Sequence, residues 1–248
     1  MHQFFVEPEN IQENKIVITG EDVNHIKNVL RMKVGDEIAV SNGVDGKEYR
    51  CGIVSISEEV LCELRFVKED GVELPSKITL FQGLPKADKM ELIVQKAVEL
   101  GVYEIVPVSM GRCIVKLDEK KQKSKISRWQ GIAESAAKQS KRRIVPQVTS
   151  VMSMKEACKY ASEMDVVLVP YELAEDMPKT RELIEAINPG QRIGFFIGPE
   201  GGFEEMEIAL AMEAGAKPIT LGKRILRTET AGFTVLSILM YHLEGRDI

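Results

Sequence analysis

The sequence predicts an α/β protein in two parts, a small β-domain over residues 1–72 and a larger domain over residues 73–248 with a largely parallel sheet. Three observations lead there. Short strands separated by turn residues fill the first part. Strand alternates with helix through the second. Between them the polar stretch Lys68-Glu69-Asp70-Gly71-Val72-Glu73-Leu74-Pro75 reads as a linker. A chain of 248 residues, 44% hydrophobic and 29% charged, is long enough to bury a core and lacks the bias of disordered, collagenous or coiled-coil sequences.

The strands expected in the first part are Gln3–Val6, Ile16–Ile18, Glu37–Ser41, Glu48–Ile56 and Val60–Val67, with Asn42-Gly43 and Asp45-Gly46 supplying turn chemistry. A helix interrupts them at Glu21–Leu30, where Val23, Ile26 and Leu30 share a face. In the second part, strand Lys77–Leu84 leads to helix Asp88–Leu100, whose Met90, Ile93, Val94 and Ala97 form an apolar stripe closed by Gly101. Strand Tyr103–Val108 and the long helix Glu119–Ser140 follow, the latter with Ile126, Trp129, Ala133 and Ala136 inward. Helix Lys155–Glu163, strand Asp165–Pro170, helix Lys179–Ile187 and strand Arg192–Gly198 come next. Helix Phe203–Ala214, strand Lys217–Leu221 and helix Glu229–Leu243 complete the series. Such alternation implies a sheet covered on both faces, with ligands gathering beyond the carboxyl ends of its strands.

Several classes are disfavoured. The longest apolar stretch, near Gly232–Leu243, is about 12 residues, short of the roughly 20 that span a bilayer. No secretory signal is visible at the start. Cys51, Cys62, Cys113 and Cys158 are dispersed without a CxxC pair, which fits reduced thiols in the cytoplasm. His2, His25 and His242 do not pair at metal-ligand spacing, so no metal is expected. The net charge is −5, but residues 110–147 carry 11 basic against 3 acidic residues. That concentration is either a polyanion-binding footprint or a solvated helix face.

Three strand ends hold the candidate chemistry: Leu168-Val169-Pro170-Tyr171-Glu172, Gly198-Pro199-Glu200-Gly201-Gly202-Phe203, and Leu221-Gly222-Lys223-Arg224-Ile225-Leu226-Arg227-Thr228-Glu229-Thr230-Ala231. Glycines between a buried strand and a helix let a ligand approach the backbone closely. Neither phosphate-loop fingerprint is present. Glu200, Glu204, Glu205 and Glu207 would repel a diphosphate from the helix start. A nucleoside without phosphates, or a cationic ligand, fits better, and a plain structural turn remains the alternative.

Pro-Glu-Gly-Gly at 199–202, followed by Leu-Gly-x-Arg-Ile-Leu-Arg-x-Glu-Thr-Ala at 221–231, resembles the SPOUT superfamily of S-adenosylmethionine-dependent RNA methyltransferases. More narrowly, the chain resembles the RsmE family of 16S ribosomal RNA uridine-N3 methyltransferases. His25-Ile26-x-x-Val29-Leu30-Arg31-x-x-x-Gly35-Asp36, Lys96-Ala97-x-Glu99-Leu100-Gly101-Val102, Arg112-Cys113 and Gln139-Ser140-x-Arg142-x-x-x-Pro146 extend the likeness. One departure is Gln3, where such chains commonly carry arginine before Phe-Phe. The resemblance implies a PUA-like β-barrel at 1–72 that binds RNA and, at 73–248, a SPOUT-type parallel sheet with a C-terminal trefoil knot. The implied cofactor contacts are Val169, Pro170, Gly198, Gly201, Gly202, Leu221, Gly222, Ile225, Leu226 and Ala231. It also implies a homodimer acting on 16S rRNA or the small ribosomal subunit, with no DNA or membrane partner. The final helix, through Ala231, Val235, Ile238, Leu239 and His242, could form the dimer interface or simply belong to the core.

Methylating uridine N3 requires loss of its proton while negative charge spreads to the flanking carbonyls. Arg227 is the expected cation and Glu229 a candidate base, although an acid in a first helical turn also stabilises the helix. RNA contacts are expected from Arg31, Lys89, Arg112, Arg128, Lys138, Arg142 and Arg143, while His25 reads as structural. Two other functions stay open at this point: a nucleotide-phosphate enzyme using the glycine loop, and an RNA-binding assembly protein without activity. The same chemistry on transfer RNA or large-subunit RNA is a nearer alternative.

Overall fold

The periodicities resolve into two separately packed units in the computed structural model, which describes residues 1–69, 71–171 and 176–244. The first comprises Met1–Glu73 together with Ala137–Val145; the second comprises Leu74–Ala136 and Pro146–Ile248. The sequence boundary at residue 73 puts residues 137–145 in the second domain, but they pack with the first unit, and their apolar periodicity carries no sign of the change.

In the first unit, β1 (Gln3–Phe5), β2 (Ile11–Gln12), β3 (Lys15–Ile18), β4 (Glu37–Ser41), β5 (Glu48–Ile56) and β6 (Val60–Lys68) form one sheet in the order β1-β4-β5-β6-β3-β2. Only the β1–β4 pairing is parallel. Among the described residues the end strands β1 and β2 do not pair, so the ladder is a six-stranded path and not a closed ring. β2 was not foreseen, being too short for a two-residue period to register. The expected helix is two pieces: α1 (Glu21–Asn24) runs into a π-helical turn at His25–Val29, where the Leu30 N–H bonds the His25 carbonyl at 2.8 Å. Val23 and Ile26 still reach the core beside Ile16, Ile38, Val40 and Ile53. The His25 ring packs edge-on to Phe4.

The second unit contains β7 (Lys77–Gly83), α2 (Lys89–Glu99), β8 (Glu104–Ser109), α3 (Glu119–Gln139), β9 (Gln147–Val148), β10 (Met152–Ser153) and α4 (Met154–Ala161). It continues with β11 (Val166–Pro170), α5 (Met177–Glu185), β12 (Arg192–Ile197), α6 (Glu205–Glu213), β13 (Ala216–Ile219) and α7 (Thr228–Glu244). The last residues of α3 belong to the first unit. The sheet order is β10-β8-β7-β12-β11-β13, with β9 also on β8, and every pairing is parallel. β7 and β12 are buried along almost their whole length, which requires cover on both faces. Phe81 and Phe196 stack at 4.5 Å between these neighbours. α7 packs on α2, α5 and β12, while α4 packs on α6 and β8. Val235, Leu236, Leu239 and Leu243 turn α7 into the core, and His242 bonds the Ile187 carbonyl at 2.9 Å. Of the residues considered for an interface, Ile238 is exposed. No described helix is long and apolar enough to cross a membrane.

Candidate functional site: the strand ends of the parallel sheet

A parallel sheet delivers all its carboxyl ends to one side. Because β12, β11 and β13 are consecutive neighbours, the three chemistry-bearing segments emerge next to one another, and the β7–α2 loop flanks the β12 loop. The helix after β12 packs with α4, whereas those after β7, β11 and β13 form the α2–α5–α7 group. Connections leaving to opposite faces open a crevice between adjacent strand ends, the usual ligand position in such sheets. The segment after β11 ends in residues 172–175, so Glu172 lies outside the described residues.

Hydrogen bonds tie these segments together. Thr228 at the start of α7 donates its hydroxyl to the Gly198 carbonyl at 2.7 Å and accepts the Gln82 amide at 3.0 Å. Gln82 is fully buried, and its Oε1 has no hydrogen-bond partner among the described residues. The Tyr171 N–H bonds the Ile219 carbonyl at 3.1 Å, linking the β11 and β13 ends. Pro199 crosses so close to β7 that a Cβ on Gly83 would lie 2.8 Å from its ring. Gly202 holds a left-handed φ of 70°, and Arg112 donates to the Gly201 carbonyl at 2.9 Å.

The acidic residues divide by role. Glu207 is buried, accepting the Gly111 and Glu204 N–H groups at 2.8 Å each, so it caps α6 and fixes the 110–113 corner. Glu200 and Glu229 instead share Lys89, whose Nζ is 3.2 Å from each carboxylate. Hydrogen bonding to Glu200, reinforced by Glu229, holds the Lys89 ammonium above the usual lysine range. Partial burial opposes ionisation of Glu200, but the N–H groups of Glu200 and Lys86, with Lys89, outweigh it and pull the carboxyl down. Lys89 and Arg112 against the carboxylates of Glu200, Glu229, Glu204 and Glu207 leave a net negative charge around the glycine loop, better suited to a cationic ligand than to a phosphate. No group of three His, Cys, Asp or Glu side chains converges as metal ligands among the described residues.

Comparison with known proteins supplies the lineage. Residues 72–240 match the RNA methyltransferase domain family, and residues 18–64 match the RNA methyltransferase PUA domain. The chain is 38% identical to the ribosomal RNA small subunit methyltransferase E of Bacillus subtilis, over 98% of both chains. It belongs to the RsmE family. The namesake from Mesomycoplasma hyopneumoniae is 34% identical over 96% of this chain and 98% of its own. The Neisseria gonorrhoeae ribosomal RNA small subunit methyltransferase E, solved bound to S-adenosyl methionine, superposes with a TM-score of 0.83 at 34% identity, covering 97% of each chain.

Within this RsmE-family chain, Val169 is wholly buried inside the sheet, backbone included, so it underlies the strand ends without offering a ligand contact, while Pro170, Gly198, Gly202, Leu221, Gly222, Leu226 and Ala231 are partly exposed. Gly201 is exposed and Ile225 is 90% exposed. Arg227 is exposed and forms no ion pair among the described residues.

The expected RNA ligands scatter. Arg142 and Arg143 are corrections: both are buried inside the first unit, where an RNA phosphate cannot reach. Glu73 receives the Arg142 guanidinium at 3.0 Å and the Arg143 and Ile144 N–H groups at 2.9 and 3.2 Å, while Arg143 donates to the Lys68 carbonyl at 3.0 Å. A basic run reads the same whether its charges are buried or exposed. Gln3 donates to the Arg142 carbonyl at 2.8 Å, so the family-atypical residue serves this same segment. Lys138 pairs with Asp22 at 3.0 Å and Arg128 with Glu91 at 2.8 Å, although Arg128 stays largely exposed. Arg31 is exposed at a left-handed φ of 53°. Sequence reasoning passed over Lys116, Lys120 and Lys123, which are exposed and have no ion-pair partner among the described residues. It also passed over Gln82, although a glutamine inside an apolar strand run was a readable signal of a buried polar task.

Proposed function

We propose that this chain transfers a methyl group from S-adenosylmethionine to N3 of a uridine in 16S ribosomal RNA of the small subunit. The observation that carries the reading is the convergence of the Pro170, Gly198–Gly202 and Leu221–Leu226 segments on adjacent strand ends, with acidic groups beside them and no phosphate fingerprint. S-adenosylmethionine supplies an electrophilic methyl on a positively charged sulfur. The open glycine surfaces at 202 and 222 admit a nucleoside to the backbone, where a Cβ would meet no atom closer than 4.0 Å. Leu221, Leu226 and Ala231 offer apolar contact, and the residual negative charge near Glu200 favours the sulfonium.

For the acceptor, Arg227 faces solvent without an ion-pair partner among the described residues and can stabilise the negative charge spread over the uracil carbonyls as N3–H is lost. Glu229, at the start of α7, is the candidate to receive that proton, and bringing N3 in line with the methyl is the larger part of catalysis. RNA is drawn in by the exposed cations of α3 and by Arg31. A knotted path through the cofactor segments, a homodimer and a cytoplasmic setting complete the reading. Dimerisation is favoured by apolar surface on α2 and α7, where Leu92 and Ile238 are exposed and Tyr241 is 82% exposed.

The test incubates the protein with methyl-labelled S-adenosylmethionine and, separately, small subunits, large subunits and transfer RNA from cells lacking the gene. Label recovered as N3-methyluridine in small-subunit RNA is expected. Label in another RNA, or none despite bound cofactor, rejects the proposed acceptor.

A further inference from the structure

Lys89 opens α2, directly after the loop that leaves β7. It reaches two carboxylates distant in sequence: Glu200 in the glycine loop after β12 and Glu229 in the first turn of α7, both at 3.2 Å. The three side chains are 29%, 23% and 14% exposed, half-sheltered but open on one side. Glu200 is further held by the Lys86 N–H at 3.1 Å. Ala87 between them adopts a φ of 52°, a conformation that a residue with a side chain keeps only where surrounding contacts impose it. The loop is thus bent to bring a backbone donor and an ammonium to one carboxylate.

We infer that Lys89 is a positioning residue of the methyl-transfer site, fastening the Pro199–Gly202 loop to the first turn of α7 through Glu200 and Glu229, and not a ligand of RNA phosphate. Without the ammonium, two carboxylates that share one nitrogen would face each other as like charges and push loop and helix apart. With it, each lobe of the site is registered against the other. The pairing also removes Lys89 from the pool of phosphate ligands: its charge is already outweighed by two carboxylates, unlike the exposed Lys120 and Lys123 on α3, which have no ion-pair partner among the described residues. The inference rests on the cofactor assignment proposed above.

The experiment uses full-length Lys89→Met and Lys89→Arg proteins. Cofactor affinity is measured calorimetrically without RNA, kcat and KM for S-adenosylmethionine by methyl transfer, and RNA affinity across a salt series. Lys89→Met is expected to raise the cofactor Kd and KM about tenfold, the scale of one lost charge-assisted contact, and to lower kcat as well. Lys89→Arg should recover both to within about threefold, because guanidinium can bridge the same carboxylates. Adding Glu200→Gln to Lys89→Met should recover part of the loss, since it removes the like-charge repulsion that the missing ammonium leaves behind. RNA affinity and thermal midpoint should hold. Unchanged cofactor affinity with a salt slope reduced by about one unit would make Lys89 an RNA ligand and overturn the inference. Equal losses in the Met and Arg variants with a fallen Tm would overturn it in favour of a purely structural role. Failure of the proposed acceptor shows elsewhere, as an unsubstituted protein that binds cofactor but leaves small-subunit RNA unlabelled.

Discussion

Two charge clusters, one in each unit, use the same residue types to opposite ends. In the first unit Arg142 and Arg143 have side chains only 5% and 2% exposed, and they meet Glu73, Glu48 and backbone carbonyls. In the second, Lys89 is 29% exposed against Glu200 and Glu229. A fully desolvated charge must be paired, so the first cluster commits its cations to holding residues 137–145 in place. A half-sheltered charge can be paired and still face a ligand. Burial, more than residue type, decides whether a paired cation locks a segment into the fold or fastens only the loops of the site.

The sharpest way to break this comparison is to remove one acid from each cluster. Glu73→Ala withdraws the carboxylate from a buried guanidinium and two backbone N–H groups, and should lower stability by about 3–5 kcal/mol, read as a reduced urea midpoint. Glu200→Gln should lower stability by less than about 1 kcal/mol in the same urea titration, because partly exposed pairs are screened. Equal shifts would erase the distinction. A smaller effect belongs to Thr228→Val, which leaves the Gln82 amide and the Gly198 carbonyl short of a partner. Its expected cost is about 1–3 kcal/mol by chemical denaturation, with cofactor affinity weakened because Gly198 opens the glycine loop.

How much of this could be read beforehand follows from what one sequence encodes locally. The strands Glu37–Ser41 and Glu48–Ile56 have the bounds the sequence suggests, because the turn residues Asn42-Gly43 and Asp45-Gly46 lie between them and mark where one ends and the other begins. The three strand ends were recognisable as glycine-bearing loops, and their adjacency follows only from strand order, which periodicity does not encode. β9 and β10, two residues each, were missed for want of length. The passage of residues 137–145 into the first unit was invisible, since it depends on Glu73 and Gln3, distant in sequence. For the site, the Pro-Glu-Gly-Gly segment was legible as a motif, but the Lys89 bridge was not: neither partner lies within a hundred residues of it along the chain.

Next in size is the electrostatic share of RNA binding. Lys120→Glu and Lys123→Glu together should weaken RNA affinity in a salt-dependent way and flatten the salt slope by about one to two units, leaving cofactor affinity unaltered. Arg128→Glu should do less, because that guanidinium already pairs with Glu91 at 2.8 Å. If Arg128→Glu dominates instead, partial pairing on a surface does not withdraw a cation from RNA, and the rule drawn from the two clusters needs exposure alone.

The smallest expected effect concerns the thiols, and it compares the units by local opening. Burial pushes the Cys51 thiol up to about 12 and those of Cys62 and Cys158 to about 11, and it raises Cys113 as well. A raised thiol stays protonated and unreactive until the pH approaches its shifted value, so at neutral pH modification by a disulfide reagent has to wait for an opening event. Cys51 and Cys62 sit in the sheet core of the first unit and should react only as fast as that unit unfolds. Cys113 closes the 110–113 corner, held by the Glu207 bond to Gly111 and by Arg112 on the Gly201 carbonyl. It should react first, and added S-adenosylmethionine should slow it, because a ligand seated on the glycine loop stabilises the same corner. Equal rates at all four cysteines, insensitive to cofactor, would mean that the corner opens only with the whole fold, and that the strand-end site is as rigid as the core beneath it.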